Sequence, residues 1–275
     1  MNDMILRKNN GIPFLGFPVL EDTGLVRHGF SVREGGVSSG SYASMNLSFT
    51  MGDNRDNVLE NYDRMARGLE VDSSSMTSVW QAHTDKIKVV GIADRGKGIT
   101  LPKDPEEIDG MVTNEKGVTL VTLHADCLPL YLLDPRNQAI GLTHSGWRGT
   151  QKAIGIRTIE AMEKAFGSRR DDLIVCIGPG IGRTAFEVGP EVAEAFSELL
   201  GKKQVDEVLM PLQMGTYMLD LTRSNEMLFM EAGIQKDRLY TSDLCTFSRP
   251  DLFFSHRRDG SIRGSMAAFL SLKSE

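Results

Sequence analysis

Cysteine and histidine are scarce in this chain of 275 residues, with three of one and five of the other. Cys127, Cys176 and Cys245 are odd in number and far apart, and no CxxC pair occurs. That excludes a disulfide scaffold and fits free thiols in a reducing cytoplasm. Five histidines are too few for a multicopper oxidase centre. Long apolar runs are also missing. The most apolar stretch, Val118 to Leu133, is interrupted by His124, Asp126 and Pro129, so it cannot span a bilayer. The opening MNDMILRKNNGIPFL has no apolar segment of signal-peptide length, so a cytoplasmic location is expected. A net charge of −6 argues against a broad nucleic-acid surface, while leaving room for a local basic pocket. There is no internal repeat, low-complexity tract or Pro/Gly/Ser-rich linker. With 40% hydrophobic and 25% charged residues, the composition is that of an ordinary globular protein. A single domain over residues 1–275, monomeric or a small homo-oligomer, is expected.

Hydrophobic periodicity supplies the elements. In DNRDNVLENYDRMARGLE, Val58, Leu59, Tyr62, Met65 and Leu69 fall near helical spacing, with charges opposite. TQKAIGIRTIEAMEKAFG predicts a helix from Thr150 closed by Gly167. GPEVAEAFSELLG and DLTRSNEMLFMEAG predict two more, the first opened by Pro190 and the second closed by Gly233. GVTLVTL, DLIVCIG and GSMAAFLSLK read as strands. LPLYLLD and QAIGLTH flank DPRN, a turn signal, and predict a hairpin. Helices and strands do not alternate strictly, so the class is α+β, with mixed β-sheets flanked by helices.

The rare residues concentrate in VTLHADCLPLYLLDPRNQAIGLTHSGWRGT, residues 121–150. Cys127 precedes the hairpin and His144 ends it, and a hairpin returns the chain to its start. Three chemical readings stay open on spacing. Cys127 is a thiolate nucleophile with His144 as its base. Or both are metal ligands, with His83 of WQAHTDK as a third and a fourth position left for water or substrate. Or Cys127 is a small buried residue and His144 a hydrogen-bonded turn residue. One thiolate with imidazoles suits zinc better than copper. His124 is expected in a supporting or core role, and His28 and His256 as structural histidines.

Two passages could hold an anion. REGGVSSGSYASMN offers glycine turns, hydroxyls, Arg33 and Asn46, but lacks the P-loop pattern; an ordinary surface loop is the competing reading. SGWRG places Arg148 four residues after His144, as a phosphate ligand or a surface ion pair. The glycines of CIGPGIGRTAFEVGPEV serve tight turns in the simplest reading.

Taken together, HGFSVREGGVSSGSYASMNLS, GDNRDNVLENYDRM, QAHTDK, DGMVT, ADC, HSGW, IGPGIGRTAFEVGPEV and DLCTFSRPDLFFSHRRDG closely resemble the YfiH/YlmD-like family, long labelled multicopper polyphenol oxidase or laccase domain. The resemblance runs in order from about Arg27 to the C-terminus. It implies a mixed α/β fold related to a group of cysteine hydrolases. It implies zinc on His83, Cys127 and His144. It further implies phosphate-dependent cleavage of purine nucleosides (adenosine, inosine, guanosine and methylthioadenosine) and deamination of adenosine. Some members are instead assigned to removing incorrect amino acids from cell-wall precursors, which keeps a Cys–His amidase as the alternative. The chain departs from the family pattern at His124, commonly Thr, and at HSGW, commonly HAGW. On this reading Arg33, Asn46 and Arg148 are expected to contact phosphate or sugar. Asp126 is either the acid for the departing base or a partner for a ligating histidine.

Overall fold

The structure, a computed structural model, describes residues 4–201 and 204–274. One six-stranded sheet runs in the order β1 (Ile5–Asn9), β2 (Ile12–Gly16), β3 (Val26–Ser31), β15 (Met266–Leu272), β7 (Thr119–His124) and β4 (Met76–Ser78). A second runs β14 (Leu239–Thr241), β10 (Ile174–Ile177), β8 (Leu128–Asp134), β9 (Ala139–Ser145), β6 (Gly110–Thr113) and β5 (Ile87–Val89). A small third sheet joins β11 (Glu187–Val188), β13 (Tyr217–Leu219) and β12 (Leu209–Pro211). The helices are α1 (Pro18–Asp22), α2 (Arg55–Leu69), α3 (Trp147–Gln151), α4 (Ile154–Phe166), α5 (Pro190–Leu200), α6 (Val205–Val208), α7 (Leu221–Glu231) and α8 (His256–Asp259). Parallel and antiparallel pairs share each large sheet, so the class is α+β with mixed sheets.

The two large sheets pack face to face. Leu120, Met266, Ala268 and Leu270 of the first meet Met111, Tyr131, Leu133 and Leu142 of the second in one core. The alternate residues of the same strands face outward and are buried under helices. Leu128, Leu130 and Leu132 lie under α4, α5 and α7, and Val121, Ala267 and Phe269 under α2. Covered on both faces, β8 and β9 are buried throughout, which is why their sequences read as apolar runs. Among the described residues no helix is long and apolar enough to cross a membrane.

The predicted hairpin forms: β8 and β9 pair antiparallel, and Asp134 Oδ1 accepts from the N–H groups of Arg136 and Asn137 to fix the turn. In α2, Asn54 caps the N-terminus and Val58, Tyr62, Met65 and Leu69 are buried. The helix predicted from Thr150 is two pieces. Ala153 takes the left-handed conformation (φ 54°) between α3 and α4, a break that the unbroken apolar period does not announce. Gly167 closes α4 as expected, with φ 70°.

Candidate metal centre

Topology explains why three remote residues meet. β4 and β7 are parallel neighbours, with Ser78 opposite Val121, so both leave the first sheet at the same end. Each chain then crosses to the second sheet, one crossing carrying His83 and the other Cys127. The hairpin returns His144 to the same place, opposite Pro129. Gln81 ties the crossings together: its amide donates to Leu123 O at 2.8 Å and accepts from Leu123 N at 2.7 Å.

One ligand atom from each of His83, Cys127 and His144 lies within 4.8 Å of the others. Cys127 Sγ is 3.8 Å from His83 Nε2, and the imidazole centroids of His83 and His144 are 5.0 Å apart. A tetrahedral ion with Zn–S near 2.3 Å and Zn–N near 2.0 Å would hold sulfur and nitrogen about 3.6 Å apart. The donor set and spacing are therefore compatible with an ion of that size and geometry. His144 is buried, Cys127 half-buried and His83 exposed, so the group faces solvent on the His83 side.

Asp109 organises two of the three. It is fully buried, and its Oδ1 lies 2.9 Å from His144 Nδ1. A carboxylate only accepts, so Nδ1 carries the proton and Nε2 is left for a ligand. Oδ2 accepts from the N–H groups of Ala82 and Thr84, at 3.0 and 2.6 Å, on either side of His83. That clamp holds His83 in its left-handed conformation (φ 60°). In the sequence Asp109 is only the first residue of the DGMVT stretch; nothing local marks it as a support for the centre.

Charge follows the same arrangement. Burial favours the neutral Cys127 thiol, but the His144 charge and hydrogen bonds from His144 and His83 outweigh it and pull the thiol down to about 6. Burial likewise opposes the His144 imidazolium, but the Cys127 thiolate and Asp109 lift it to about 9. Burial would raise Asp109, yet hydrogen bonds from His144, Thr84 and Ala82 hold it at about 2.

The remaining expected residues sort differently. His124 is buried beside the centre, 5.3 Å from the His144 ring, with both nitrogens engaged. Its Nδ1–H meets Cys127 O at 3.0 Å, and Nε2 accepts from Thr122 Oγ1 at 2.8 Å. It supports the Cys127 turn and lies outside the three-ligand group. Asp126 (φ 92°) accepts from Thr246 Oγ1 and from Arg257 N, each at 2.7 Å, so its carboxylate braces this turn and touches no ligating histidine.

Asn46 bonds within the chain. It is fully buried, its amide donates to Ser48 O and Asp53 Oδ2, and its oxygen accepts from Ser48 N and Ser265 N. The glycine-rich loop likewise spends its N–H groups internally: Gly36 on Ser44, Val37 on Asn61, Ser38 on Ser44. Those three N–H groups are therefore not offered to an anion. Arg33 Nε and Nη1 bond the carbonyls of Ala43 and Pro250, and its guanidinium stacks on Phe254. Arg148 is exposed on α3, its guanidinium 4.2 Å above the Trp147 ring. His28 is structural, accepting from Phe17 N at 2.7 Å, and His256 is exposed at the start of α8.

Two glycines, read above as turn residues or passed over, allow close approach. A Cβ on Gly146 would stand 2.8 Å from Cys127 Sγ and 3.0 Å from His83 Cδ2. A Cβ on Gly180 would stand 2.4 Å from Leu128 Cδ2 and 2.9 Å from Asp126 O, behind the Cys127 turn.

Residues 27–273 match the family described as "Multi-copper polyphenol oxidoreductase laccase". The chain belongs to this family. A laccase-domain relative, purine nucleoside phosphorylase YlmD of Bacillus subtilis, is 33% identical over 89% of the chain and 88% of its own length. The crystal structure of YlmD from Geobacillus stearothermophilus superposes with a TM-score of 0.90 at 30% identity, covering 98% of this chain and all of that one. That of the Bacillus licheniformis hypothetical protein YfiH gives 0.88 at 31% identity over 94% and 96%. The laccase-domain fold is thus shared along almost the whole chain.

Proposed function

We propose that the protein is a zinc-dependent purine nucleoside phosphorylase that also deaminates adenosine. The observation that carries this reading is the open His83–Cys127–His144 group, with Asp109 orienting His144 and clamping the His83 segment. The names of its relatives support the phosphorylase class. Adenosine, inosine, guanosine and methylthioadenosine are the proposed nucleosides, and the chain works without nucleic acid or membrane in the cytoplasm. Zinc is preferred to copper because a single thiolate with two imidazoles and one open position matches catalytic zinc sites. Bound there, the ion supplies Lewis acidity at a reacting oxygen.

In phosphorolysis, a phosphate oxygen bonds C1′ of the ribose while the C1′–N9 bond breaks. The electron pair goes to N9, which takes up the proton that the hydrogen phosphate gives up, and the products are ribose 1-phosphate and free base. In deamination, water adds at C6 of adenosine and ammonia leaves. Asp109 holds the His144 proton on Nδ1 throughout, and the Ala82 and Thr84 N–H bonds keep His83 in place. Arg148, exposed three residues after Ser145, is the expected anion contact nearest in sequence to His144, and Arg33 keeps only Nη2 unengaged.

A cleft of about 560 Å³, walled by Phe49, Trp80, Ile99, Leu101 and Leu123, adjoins the same two crossings. Trp80 stands three residues before His83, and Leu123 four before Cys127. An apolar cleft with a half-exposed indole suits a planar base.

The amidase reading draws on one observation: without metal, a lowered Cys127 thiol beside a raised His144 is the charge state of a Cys–His nucleophile pair. Incubation with adenosine, with and without phosphate, separates the readings. Adenine plus ribose 1-phosphate marks phosphorolysis and inosine marks deamination, both lost with stoichiometric zinc in Cys127→Ala. Full activity under strong chelator, or neither product at all, overturns the proposal.

A further inference from the structure

The cleft walled by Phe49, Trp80 and Leu123 has a charge pattern that a neutral base leaves unused. Among the described residues lining it, only Arg55 and Lys103 are charged, and both are cations. Neither forms an ion pair among the described residues. The Arg55 guanidinium lies 4.8 Å from the centroid of the Phe49 ring, and its Nη2 donates to Ile99 O at 3.3 Å. Asp56, beside it in sequence, is exposed and outside the lining. Lys103 is half-buried, and burial lowers its pKa with no carboxylate to oppose the shift. Asp104, its neighbour in sequence, is committed to Lys88 and Lys97, at 2.6 and 3.0 Å.

Both cations rest on one stretch of the wall. A Cβ on Gly98 would stand 3.2 Å from Lys103 Cε, and Arg55 Nη2 bonds the carbonyl of the next residue, Ile99. Like charges held beside one turn without a counter-ion repel, and burial withholds water from one of them. An anion there relieves both costs. The cleft has room for it, about 560 Å³, within the range of small-molecule sites. Reach to the metal centre follows from the chain. Successive Cα atoms are about 3.8 Å apart, so Trp80 Cα lies within about 11 Å of His83 Cα.

We propose that this cleft binds purine nucleoside 5′-monophosphates, the base against Trp80 and the phosphate on Arg55 and Lys103. The proposal rests on the reading of the cleft as the place of the base, and it names the ligand class that the cations select. Apolar walls alone would hold a nucleoside. Apolar walls with two unpaired cations favour the same body carrying negative charge.

The test uses the zinc-loaded protein. Adenosine 5′-monophosphate, adenosine and inorganic phosphate are each titrated calorimetrically into wild type, Arg55→Gln and Lys103→Gln. The monophosphate should bind wild type about tenfold or more tightly than adenosine, as charge-assisted hydrogen bonds require. Each variant should lose most of that preference while adenosine affinity stays close to wild type. Added salt should weaken the monophosphate and spare adenosine. If Lys103→Gln does not fold, Arg55→Gln, changed at an exposed position, decides. Trp80 fluorescence, read in Trp147→Phe where it is the one remaining tryptophan, should respond to the monophosphate. Equal affinity for the monophosphate and adenosine overturns the proposal, as does a preference that survives both variants. So does loss of inorganic phosphate binding in the variants with no preference for the monophosphate, which would give the cations to free phosphate. Monophosphate binding through Arg55 and Lys103 in a protein that cleaves no nucleoside would support this site and remove the phosphorylase reading. Phosphorolysis of adenosine with no monophosphate preference would do the reverse.

Discussion

Asp109 and His144 are 35 positions apart in sequence and joined twice: His144 N donates to Asp109 O at 2.8 Å, and Nδ1 meets Oδ1 at 2.9 Å. The backbone bond sets the strand register and the side-chain bond sets the imidazole. Asp109→Asn keeps the shape but loses the charge, and its amide cannot accept on both sides. Partners of this kind typically account for ten- to a hundredfold in metal affinity. Zinc affinity of Asp109→Asn, measured by chelator competition, should fall about tenfold or more. Wild-type affinity would show that Asp109 merely packs.

Gly146 bears on the same centre through space alone. Its backbone (φ −85°, ψ −177°) suits any residue, so alanine adds little backbone strain. Its Cβ would nevertheless press on Cys127 Sγ and His83. Gly146→Ala should lose zinc by an order of magnitude while the metal-free protein melts close to wild type. Gly167→Ala is the converse. Its Cβ meets nothing, but its φ of 70° is left-handed, so it should cost about 1 kcal/mol in stability and no zinc. Calorimetric melting with metal analysis of both variants checks the pair.

Sequence carried the centre further than it carried the topology. The hairpin that joins Cys127 to His144 was legible because the Asp134 turn lies between two apolar runs. His83 was reachable only as a polar-loop candidate and through family resemblance, because its arrival depends on β4 pairing with β7. β4 is three residues, Met76–Ser78, too short for any period to show. The N-terminal hairpin, absent from the expectations above, announces itself by Asn10-Gly11, both at positive φ (48° and 80°). Asn46 illustrates the opposite limit: residue type suggested an offered amide, and burial spends it on the chain itself.

Acidity should govern metal loading in a stated direction. Between pH about 6 and about 9, Cys127 is a thiolate and His144 keeps its extra proton. Metal needs both ligands deprotonated, so binding in that window displaces one proton from the pair. Affinity therefore rises with pH by about tenfold per unit between 6.5 and 8.5. It steepens below about 6, where Cys127 also holds a proton, and flattens above about 9. Chelator competition across this range measures the slope, and a pH-independent constant would contradict the charge state described.

His28 supplies a pH dependence of stability that is independent of metal. Burial first, then the charges of Arg7 and Lys273, lower it to about 3, and as a neutral ring it accepts from Phe17 N. Unfolding restores an ordinary value of about 6.5. Between pH about 6.5 and 3 the unfolded chain therefore binds a proton that the folded one does not. The stability His28 contributes is complete above 6.5 and declines on acidification by up to about 1.4 kcal/mol per unit. His28→Gln keeps an acceptor for Phe17 N and cannot titrate. Urea unfolding at steps from pH 7 to 4 should show a shallower acid loss in the variant, by at most one proton. A residual slope should remain from His124, also buried and held well below its ordinary value by burial and the His144 charge. Parallel curves for wild type and variant would mean that His28 is protonated in the folded protein.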